Sequence, residues 1–152
     1  MNQANIKALL ESNREVLGQA LPSFIRSIEK CRAFNLETPI SFEVEESFDA
    51  LTSKFSRVSD IFTQKVLKSF LILLREDAPT FLDRMNLCEK LGVIPSGNDL
   101  ITIRDLRNLI AHEYLTENLL EVYKESIKLS LKLLLAIESA NAAIDAKLEG
   151  MS

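Results

Sequence analysis

The sequence predicts an all-α protein, folded as an up-and-down bundle of four to five helices. Leucine, alanine, lysine and glutamate dominate the chain, and only four glycines and four prolines interrupt it. Hydrophobic residues make up 47% of the 152 residues and charged residues 26%, which is the balance of a soluble globular protein. We therefore expect a single domain over residues 1–152, long enough to bury a hydrophobic core.

Apolar periodicity places the first helices. One helix is predicted over residues 4–19. Pro22 is then expected to begin or kink a second stretch that runs to Cys31, because proline cannot supply an interior hydrogen bond. Residues 35–41, which contain Pro39, form the first loop.

The longest pattern runs from residue 43 to about residue 75. Its apolar residues recur at three- and four-residue steps, which is the spacing of a helix-bundle seam. We interpret its aromatic residues as core rather than as a platform for stacking bases. The seam consists of Phe48, Leu51, Phe55, Val58, Phe62, Val66, Phe70 and Leu73.

Turn and capping residues divide the second half of the chain. Thr80, with Asp83 three residues later, resembles a capping box that opens a short helix to Leu91. Gly92 stands where a left-handed helix end is usual, and residues 95–97 form a loop.

Two longer helices complete the predicted bundle. Asn98 or Asp99 is expected to cap a helix that runs to about Tyr114. Thr116 can cap the last helix, which continues to about Leu148. No internal repeat and no linker is visible in this order of elements.

Charge and cysteine content limit the partners and the compartment. A formal net charge of −4 and a pI near 5.1 argue against a broad basic surface that coats nucleic acid, but they allow a small basic focus inside a groove. Cys31 and Cys88 fit no ligand or redox spacing, so we predict reduced, buried thiols. The charged N-terminal pattern is not that of a signal peptide, and the aliphatic runs are too short to span a bilayer. We expect a cytoplasmic protein with no membrane partner.

Several classes of chemistry lack their usual sequence pattern. One histidine, with no histidine–carboxylate or CxxC cluster, argues against a zinc or di-iron site. The chain has no glycine-rich phosphate loop and no nucleophile elbow. We therefore predict a protein without a metal or an organic cofactor.

The candidate site surrounds the single histidine. On an ideal helix, the stretch that ends near Glu113 separates an aliphatic half from a polar half. In an acidic protein, a merely solvated face would more often carry lysine and glutamate, so this face is predicted to carry chemistry. The polar half collects Arg104, Arg107, Asn108, His112 and Tyr114.

Two of these residues suit the cleavage of RNA by its own 2′-hydroxyl. An imidazole such as that of His112 can both accept and donate a proton, so it is a candidate for proton transfer. Arg107 offers a planar fork of donors that matches a phosphate. The reaction needs no metal but profits from two proton-transfer groups. Because the chain has one histidine, we expect a two-fold homodimer in which the arginine of one copy faces the histidine of the other across one groove.

Residues 107–114, RNLIAHEY, resemble the R-x4-H-x-Y motif of HEPN proteins. The resemblance is to the HepT-like toxins in particular, which are paired with MNT-type minimal nucleotidyltransferases. It is carried by the arginine, the adjacent asparagine, the histidine and the tyrosine. It extends over most of the chain, since a long helix, the motif helix and a long closing helix occur in that order.

The resemblance implies a dimeric, metal-independent endoribonuclease toxin with Arg107 and His112 as the active pair. Asn108 would orient the site or bind phosphate. Tyr114 would be the hydroxyl that the partner nucleotidyltransferase, the antitoxin, modifies with AMP. Such AMPylation adds negative charge and bulk where an RNA phosphate must lie, and so silences the toxin. Arg104 either is an ordinary surface charge or holds the RNA backbone.

Other interpretations remain open at the level of sequence. The protein can be a non-catalytic subunit that assembles with a nucleotidyltransferase, or a helical adaptor that binds neither that enzyme nor RNA. Tyr114 is then an interface phenol. Arg57 and Asp60 are expected to form a surface ion pair along one helix. Alternatively they brace the motif helix, because an aspartate can orient an arginine.

Overall fold

The structure, a computed structural model, describes residues 2–37, 39–112 and 118–152. These residues contain helices and no strand. A π-helical segment (Ile61–Val66) joins α2 to α3 without a break, so the three count as one helix. The described residues then form five helices, which confirms the all-α class. The helices are α1 (Gln3–Arg32), α2 (Phe42–Asp60), α3 (Leu67–Leu73), α4 (Phe81–Lys90), α5 (Gly97–Ala111) and α6 (Leu119–Gly150).

The N-terminal 30-residue segment is one helix rather than two stretches divided at Pro22, which lies inside α1. A proline ring crowds the carbonyl four residues earlier and removes its hydrogen bond, at a cost of about 3 kcal/mol. That earlier residue is Gly18, and nothing lies within 4 Å of the position of its absent side chain. Leu17 and Phe24 are buried on either side of the proline. Burial of the same face on both sides keeps the helix continuous.

The eight predicted seam residues of the long helix are all buried, which confirms the seam. Between Val58 and Phe70 they follow one another at three successive steps of four, more than the 3.6 residues of an α-helical turn. The π segment lies over this stretch. Its wider i→i+5 turns take more residues each. They therefore keep Phe62 and Val66 directed at the core.

Side chains supply extra donors to the backbone around the π segment. The Thr63 hydroxyl donates to the carbonyl of Ser59 at 2.8 Å, and the Ser69 hydroxyl donates to that of Lys65 at 2.6 Å. Asn13 of α1 also donates its amide to the Lys65 carbonyl, at 3.3 Å. These bonds stabilise the change between i→i+4 and i→i+5 bonding and attach the segment to α1.

The helices pack around this long central element. On one side, α1 packs along α2, the π segment and α3, while α5 contacts α2, α4 and α6. Tyr123 of α6 stacks on Phe48 of α2, with ring centroids 4.1 Å apart and an interplanar angle of 11°. The contact of α5 with α2 places the polar half of α5 beside the start of the π segment.

The helix starts agree with the predictions in part. The Thr80 hydroxyl accepts the N–H of Asp83 at 3.1 Å, which confirms the cap of α4. Asn118 occupies the cap position of α6 without a side-chain cap bond. The predicted cap Thr116 lies outside the described residues. The last helix ends at Gly150, slightly beyond the predicted end.

The cap of α5 is Ser96, and the prediction of Asn98 or Asp99 is wrong. The Ser96 hydroxyl accepts the N–H of Asp99 at 3.2 Å, and the helix starts at Gly97. A Cβ at Gly97 would lie 2.9 Å from the carbonyl oxygen of Met85 in α4. Close packing of α4 on α5 therefore requires glycine in the first turn, and this glycine belongs to the helix instead of the preceding loop.

Helices α3 and α4 end with the same left-handed turn but with different residues in it. Gly92 follows α4 with a φ of 75°, which confirms the predicted helix end. Arg75 occupies the equivalent position after α3 with a φ of 59°. In both turns the next N–H bonds to the carbonyl five residues earlier, at 2.8 Å after α4 and 3.0 Å after α3, the pattern of a Schellman motif.

No described helix is both long enough and apolar enough to cross a membrane. Cys31 and Cys88 are both buried and unpaired, as predicted. The Cys31 thiol donates to the carbonyl of Ser47 at 3.4 Å. Burial raises the pKa of the Cys31 thiol to about 11 and the pKa of the Cys88 thiol to about 12.

We predict opposite effects on stability from two substitutions at the left-handed turns. Arg75→Gly should raise the free energy of unfolding by roughly 0.5–1 kcal/mol, because a residue with a Cβ is strained there and glycine is not. Gly92→Ala should lower it by about 1 kcal/mol. Nothing lies within 4 Å of the added methyl group, so the loss of stability comes from backbone strain and not from a clash. Urea unfolding measures both, and equal stability of Gly92→Ala and the parent would contradict the turn.

The native thiols should not react with a thiol reagent at pH 8. With a pKa of about 11, only about one Cys31 side chain in 10³ is then a thiolate, and Cys88 still fewer.

Above pH 9 both thiols stay protonated when folded but ionise when unfolded, so the unfolded state binds fewer protons. The free energy of unfolding should therefore fall between about pH 9 and pH 12. Native labelling as fast as labelling in denaturant would contradict this burial.

Candidate functional site

A cleft of about 750 Å³ opens where α5 meets the junction of α2 and the π segment. We call it the site cleft. Its walls come from four elements, since α1 contributes one residue and α2, the π segment and α5 supply the rest. The lining residues are Val16, Arg57, Ser59, Asp60, Ile61, Thr63, Gln64, Lys65, Arg104, Arg107 and Asn108.

Arg107 of α5 is held by Asp60, the last residue of α2, in a two-pronged ion pair. Its Nε donates to Oδ1 at 2.9 Å and to Oδ2 at 3.2 Å, and its Nη2 donates to Oδ2 at 2.7 Å. Hydrogen bonding to Asp60 raises the pKa of Arg107 above its ordinary value, so the guanidinium stays charged. The pair uses the Nε–Nη2 edge and leaves the N–H groups of Nη1 for another acceptor.

The predicted surface pair of Arg57 with Asp60 is wrong, because Asp60 pairs with Arg107 instead. The alternative, in which an aspartate of the long helix orients the arginine of the motif helix, is confirmed for Asp60. A fork-shaped bond to a neighbouring helix is geometrically better than an exposed pair along one helix, which contributes little. Arg57 lines the site cleft as a separate cation.

Two residues of α5 on either side of Arg107 add further polar groups to the site cleft. Arg104 lies over the ring of Phe81 in α4, with its guanidinium carbon 4.4 Å from the ring centroid. This cation–π contact limits where the charge can move. Asn108 is half-buried and lines the same wall. The structure thus brings Arg104, Arg107 and Asn108 together, on the side of α5 that its sequence marks as polar.

His112 does not line the site cleft of a single chain. It is the C-cap residue of α5, and its side chain is exposed. Its backbone N–H donates to the carbonyl of Asn108 at 3.1 Å, so the histidine follows the cleft by one helical turn. The helix ends at Ala111, before the predicted end at Tyr114, and Tyr114 lies outside the described residues.

The contribution of the π segment was not apparent from the sequence. Gln64 and Lys65 line the site cleft, and both are exposed. A usable signal exists, because Arg57, Asp60 and Gln64 follow at steps of three and four and form a polar stripe beside the apolar seam. Such a stripe is normally a solvated face. Only its position opposite the polar half of α5 distinguishes this stripe from an ordinary solvated helix face.

The charge of the site cleft is opposite to that of the whole chain. Among the described residues that line it, four are cations and one is a carboxylate, in a protein of net charge −4. The cations are Arg57, Lys65, Arg104 and Arg107, and the carboxylate is Asp60. Concentrated cations in a concave surface attract phosphate groups. Within the described ranges, no group of three or more His, Cys, Asp or Glu side chains is placed to hold a metal ion.

Comparison of the chain with family models, with curated proteins and with solved structures gave no match. The fold and the cleft define a class, a five-helix bundle with a cationic cleft built on a π segment. Any narrower assignment rests on the chemistry of these residues and on the resemblance of residues 107–114 to the HEPN motif.

We predict that the Arg107–Asp60 pair fixes a side chain more than it stabilises the fold. Both partners are partly exposed, at 32% and 44% of the side-chain surface. Asp60→Ala should therefore lower the free energy of unfolding by at most about 1 kcal/mol. The Arg107 Nε–H signal in a nitrogen–proton correlation spectrum should broaden or vanish, because its acceptor is gone. Lys132→Ala removes the similarly exposed Lys132–Asp99 pair and should leave that signal unchanged.

An Arg107 signal that stays sharp in Asp60→Ala would show that Asp60 does not orient the guanidinium. A loss of several kcal/mol in stability would show that the pair is structural, since exposed pairs contribute about 1 kcal/mol at most.

Proposed function

We propose that this protein is the toxin of a HEPN/MNT toxin–antitoxin pair and acts as a metal-independent endoribonuclease. One observation carries the proposal: the arginine of the HEPN-like motif, Arg107, stands in a cationic cleft with one edge held by Asp60. A guanidinium fixed in this way presents its remaining donors in one orientation. That is what recognition of a phosphodiester at a defined position requires.

Phosphate binding and charge neutralisation are assigned to the site cleft. Arg107 donates from Nη1 to a non-bridging phosphate oxygen and stabilises the charge that develops on the pentacoordinate phosphorus. Arg104, held over an aromatic ring, and Lys65 bind the neighbouring backbone phosphates. Asn108, next to Arg107 in the sequence, supplies a neutral donor and acceptor that orients the ribose or the phosphate.

His112 is assigned to proton transfer. A base takes the proton of the 2′-hydroxyl, O2′ attacks the adjacent phosphorus, the P–O5′ bond breaks, and an acid gives a proton to the leaving O5′. The products are a 2′,3′-cyclic phosphate and a 5′-hydroxyl. One imidazole cannot serve as both groups at once, so concerted transfer uses a second proton-transfer group.

A two-fold homodimer would supply that group as a second histidine. His112 is exposed at the end of α5, one turn beyond Asn108 of the site cleft. This position favours a composite site in which the imidazole of one copy faces the cleft of the other. The single-chain cleft would then be half of the active site.

Control by an antitoxin is assigned to Tyr114. This tyrosine follows His112 by two residues in the sequence. The transfer of AMP to its hydroxyl by an MNT-type nucleotidyltransferase would add a phosphate and a nucleoside close to the catalytic histidine. The added negative charge competes with the RNA phosphate for the same cations.

A second candidate function is supported by the absence of His112 from the lining of the cleft. The protein would then be a non-catalytic subunit that binds a nucleotide or RNA phosphate and presents it to a partner nucleotidyltransferase. A stable complex with such an enzyme, without RNA cleavage by the separate protein, would favour this function over the first.

Cleavage of RNA in the presence of a metal chelator tests the proposed nuclease. The purified protein should leave 2′,3′-cyclic phosphate ends. His112→Ala should lower the rate by about 10²–10⁴-fold, because proton transfer is lost. Arg107→Ala should lower it by about 10²–10³-fold, because charge stabilisation is lost. Lys132→Ala, which changes no residue that lines the site cleft, should cut RNA like the parent. Unaltered cleavage in Arg107→Ala or in His112→Ala would rule the assignment out.

A mixed dimer separates a composite site from a site within one chain. In this dimer one copy carries Arg107→Ala and the other carries His112→Ala. If each active site combines the arginine of one chain with the histidine of the other, one of the two sites keeps both residues. If each site lies within one chain, neither site keeps both. The mixed dimer should therefore cleave RNA faster than a dimer of either variant alone, but more slowly than the parent, because one of the two histidines is missing. No recovery in a dimer shown to be mixed would contradict the composite site.

A further inference from the structure

The site cleft continues into a second groove along the central helix. This groove, which we call the side groove, has a volume of about 290 Å³. Gln64 and Lys65 line both cavities, so the two adjoin at these residues. The side groove is lined by Leu9, Asn13, Gln64, Lys65, Lys68, Ser69 and Ile72.

The positive charge of the site cleft extends into the side groove. Lys65 and Lys68 are exposed, and the described residues that line the groove include no carboxylate. The next cavity along the helix shares Lys68 but also contains Glu76 and Asp77, so the purely cationic stretch ends there. In a chain with 22 acidic and 18 basic residues, this stretch collects five cations and one carboxylate, and that carboxylate is paired with Arg107.

The floor of the side groove is fixed by hydrogen bonds between α1 and the central helix. The Asn13 amide donates to the Lys65 carbonyl and to the Ser69 hydroxyl, both at 3.3 Å. Its walls carry apolar surface, because Leu9 and Ile72 are 40% and 41% exposed. A shaped floor, flexible cations and exposed aliphatic side chains suit a ligand with both phosphates and flat apolar faces.

We propose that the side groove is the track along which single-stranded RNA leaves the site cleft. Nucleotides on one side of the scissile bond lie in the side groove. Their phosphates bind Lys65 and Lys68, and their bases contact the aliphatic walls. The inference rests on the proposed nuclease, because it extends the same site. A double helix keeps its bases paired inside, so only an unpaired strand can place its bases against Leu9 and Ile72. RNA is favoured over an acidic peptide because the groove opens into a cleft whose arginine is held for a phosphodiester.

Binding of non-cleavable strands tests the track separately from the reaction. Strands with 2′-O-methyl groups lack the attacking hydroxyl and so report binding alone. The strands to compare have about 4 and about 16 nucleotides, and the shorter one is meant to fill the site cleft only. Fluorescence anisotropy over a series of salt concentrations gives the affinity and the number of phosphate contacts.

Lys68→Glu should lower the affinity for the long strand by about tenfold, because one phosphate contact is lost and a repulsive charge is added. The logarithm of its affinity should depend less steeply on the logarithm of salt concentration, by roughly 0.7 or more. The affinity for the short strand should fall much less, because Lys68 does not line the site cleft. Lys128→Glu makes the same charge change at an exposed position on α6, outside both cavities, and should match the parent after salt correction.

Equal loss in Lys68→Glu and Lys128→Glu would overturn the track, even if the parent cleaves RNA. A polyglutamate peptide that binds through Lys68 as tightly as the long strand would overturn it too, in favour of an acidic protein partner. Lysine-dependent binding of the long strand by a protein that cleaves no RNA would support the track while the nuclease fails.

Discussion

The ion pair between Arg107 and Asp60 is the interaction on which the candidate site depends. It joins α5 to the end of α2 and sets the direction of the one guanidinium that the motif supplies. The pair is partly exposed, so its contribution to the free energy of folding is at most about 1 kcal/mol. Its effect is geometric: a side chain with many rotamers is reduced to one, with one edge satisfied and the other presented to the cleft.

The π segment makes this arrangement compatible with a continuous central helix. A seam that advances by three successive four-residue steps would drift away from the core on a regular α-helix. The wider turns keep Phe62 and Val66 buried. The same turns expose Gln64 and Lys65 to the site cleft and the side groove. Such insertions are frequent at functional sites because they redirect side chains without ending the helix.

Overall charge is a poor guide to what this protein can bind. The chain is acidic, yet five of its cations line the site cleft and the adjoining side groove. Asp60, the one carboxylate among the described lining residues, is already paired with Arg107. Acidic residues elsewhere keep the rest of the surface from attracting polyanions and so direct them to these two cavities. Lys128 and Lys68 are both exposed and count equally toward the net charge, but only Lys68 lines a groove.

The sequence by itself determined the helical class, the apolar seam, the cap at Thr80, the left-handed end at Gly92 and the polar half of α5. These features depend on residues a few positions apart, so periodicity and turn chemistry are sufficient to predict them. Only the tertiary structure decided that α1 continues through Pro22, that Asp60 pairs with Arg107 and that Gly97 belongs to α5. Each of these depends on what a neighbouring helix places opposite the residue. Contacts between residues 47 positions apart, as in the Arg107–Asp60 pair, leave no local pattern to read.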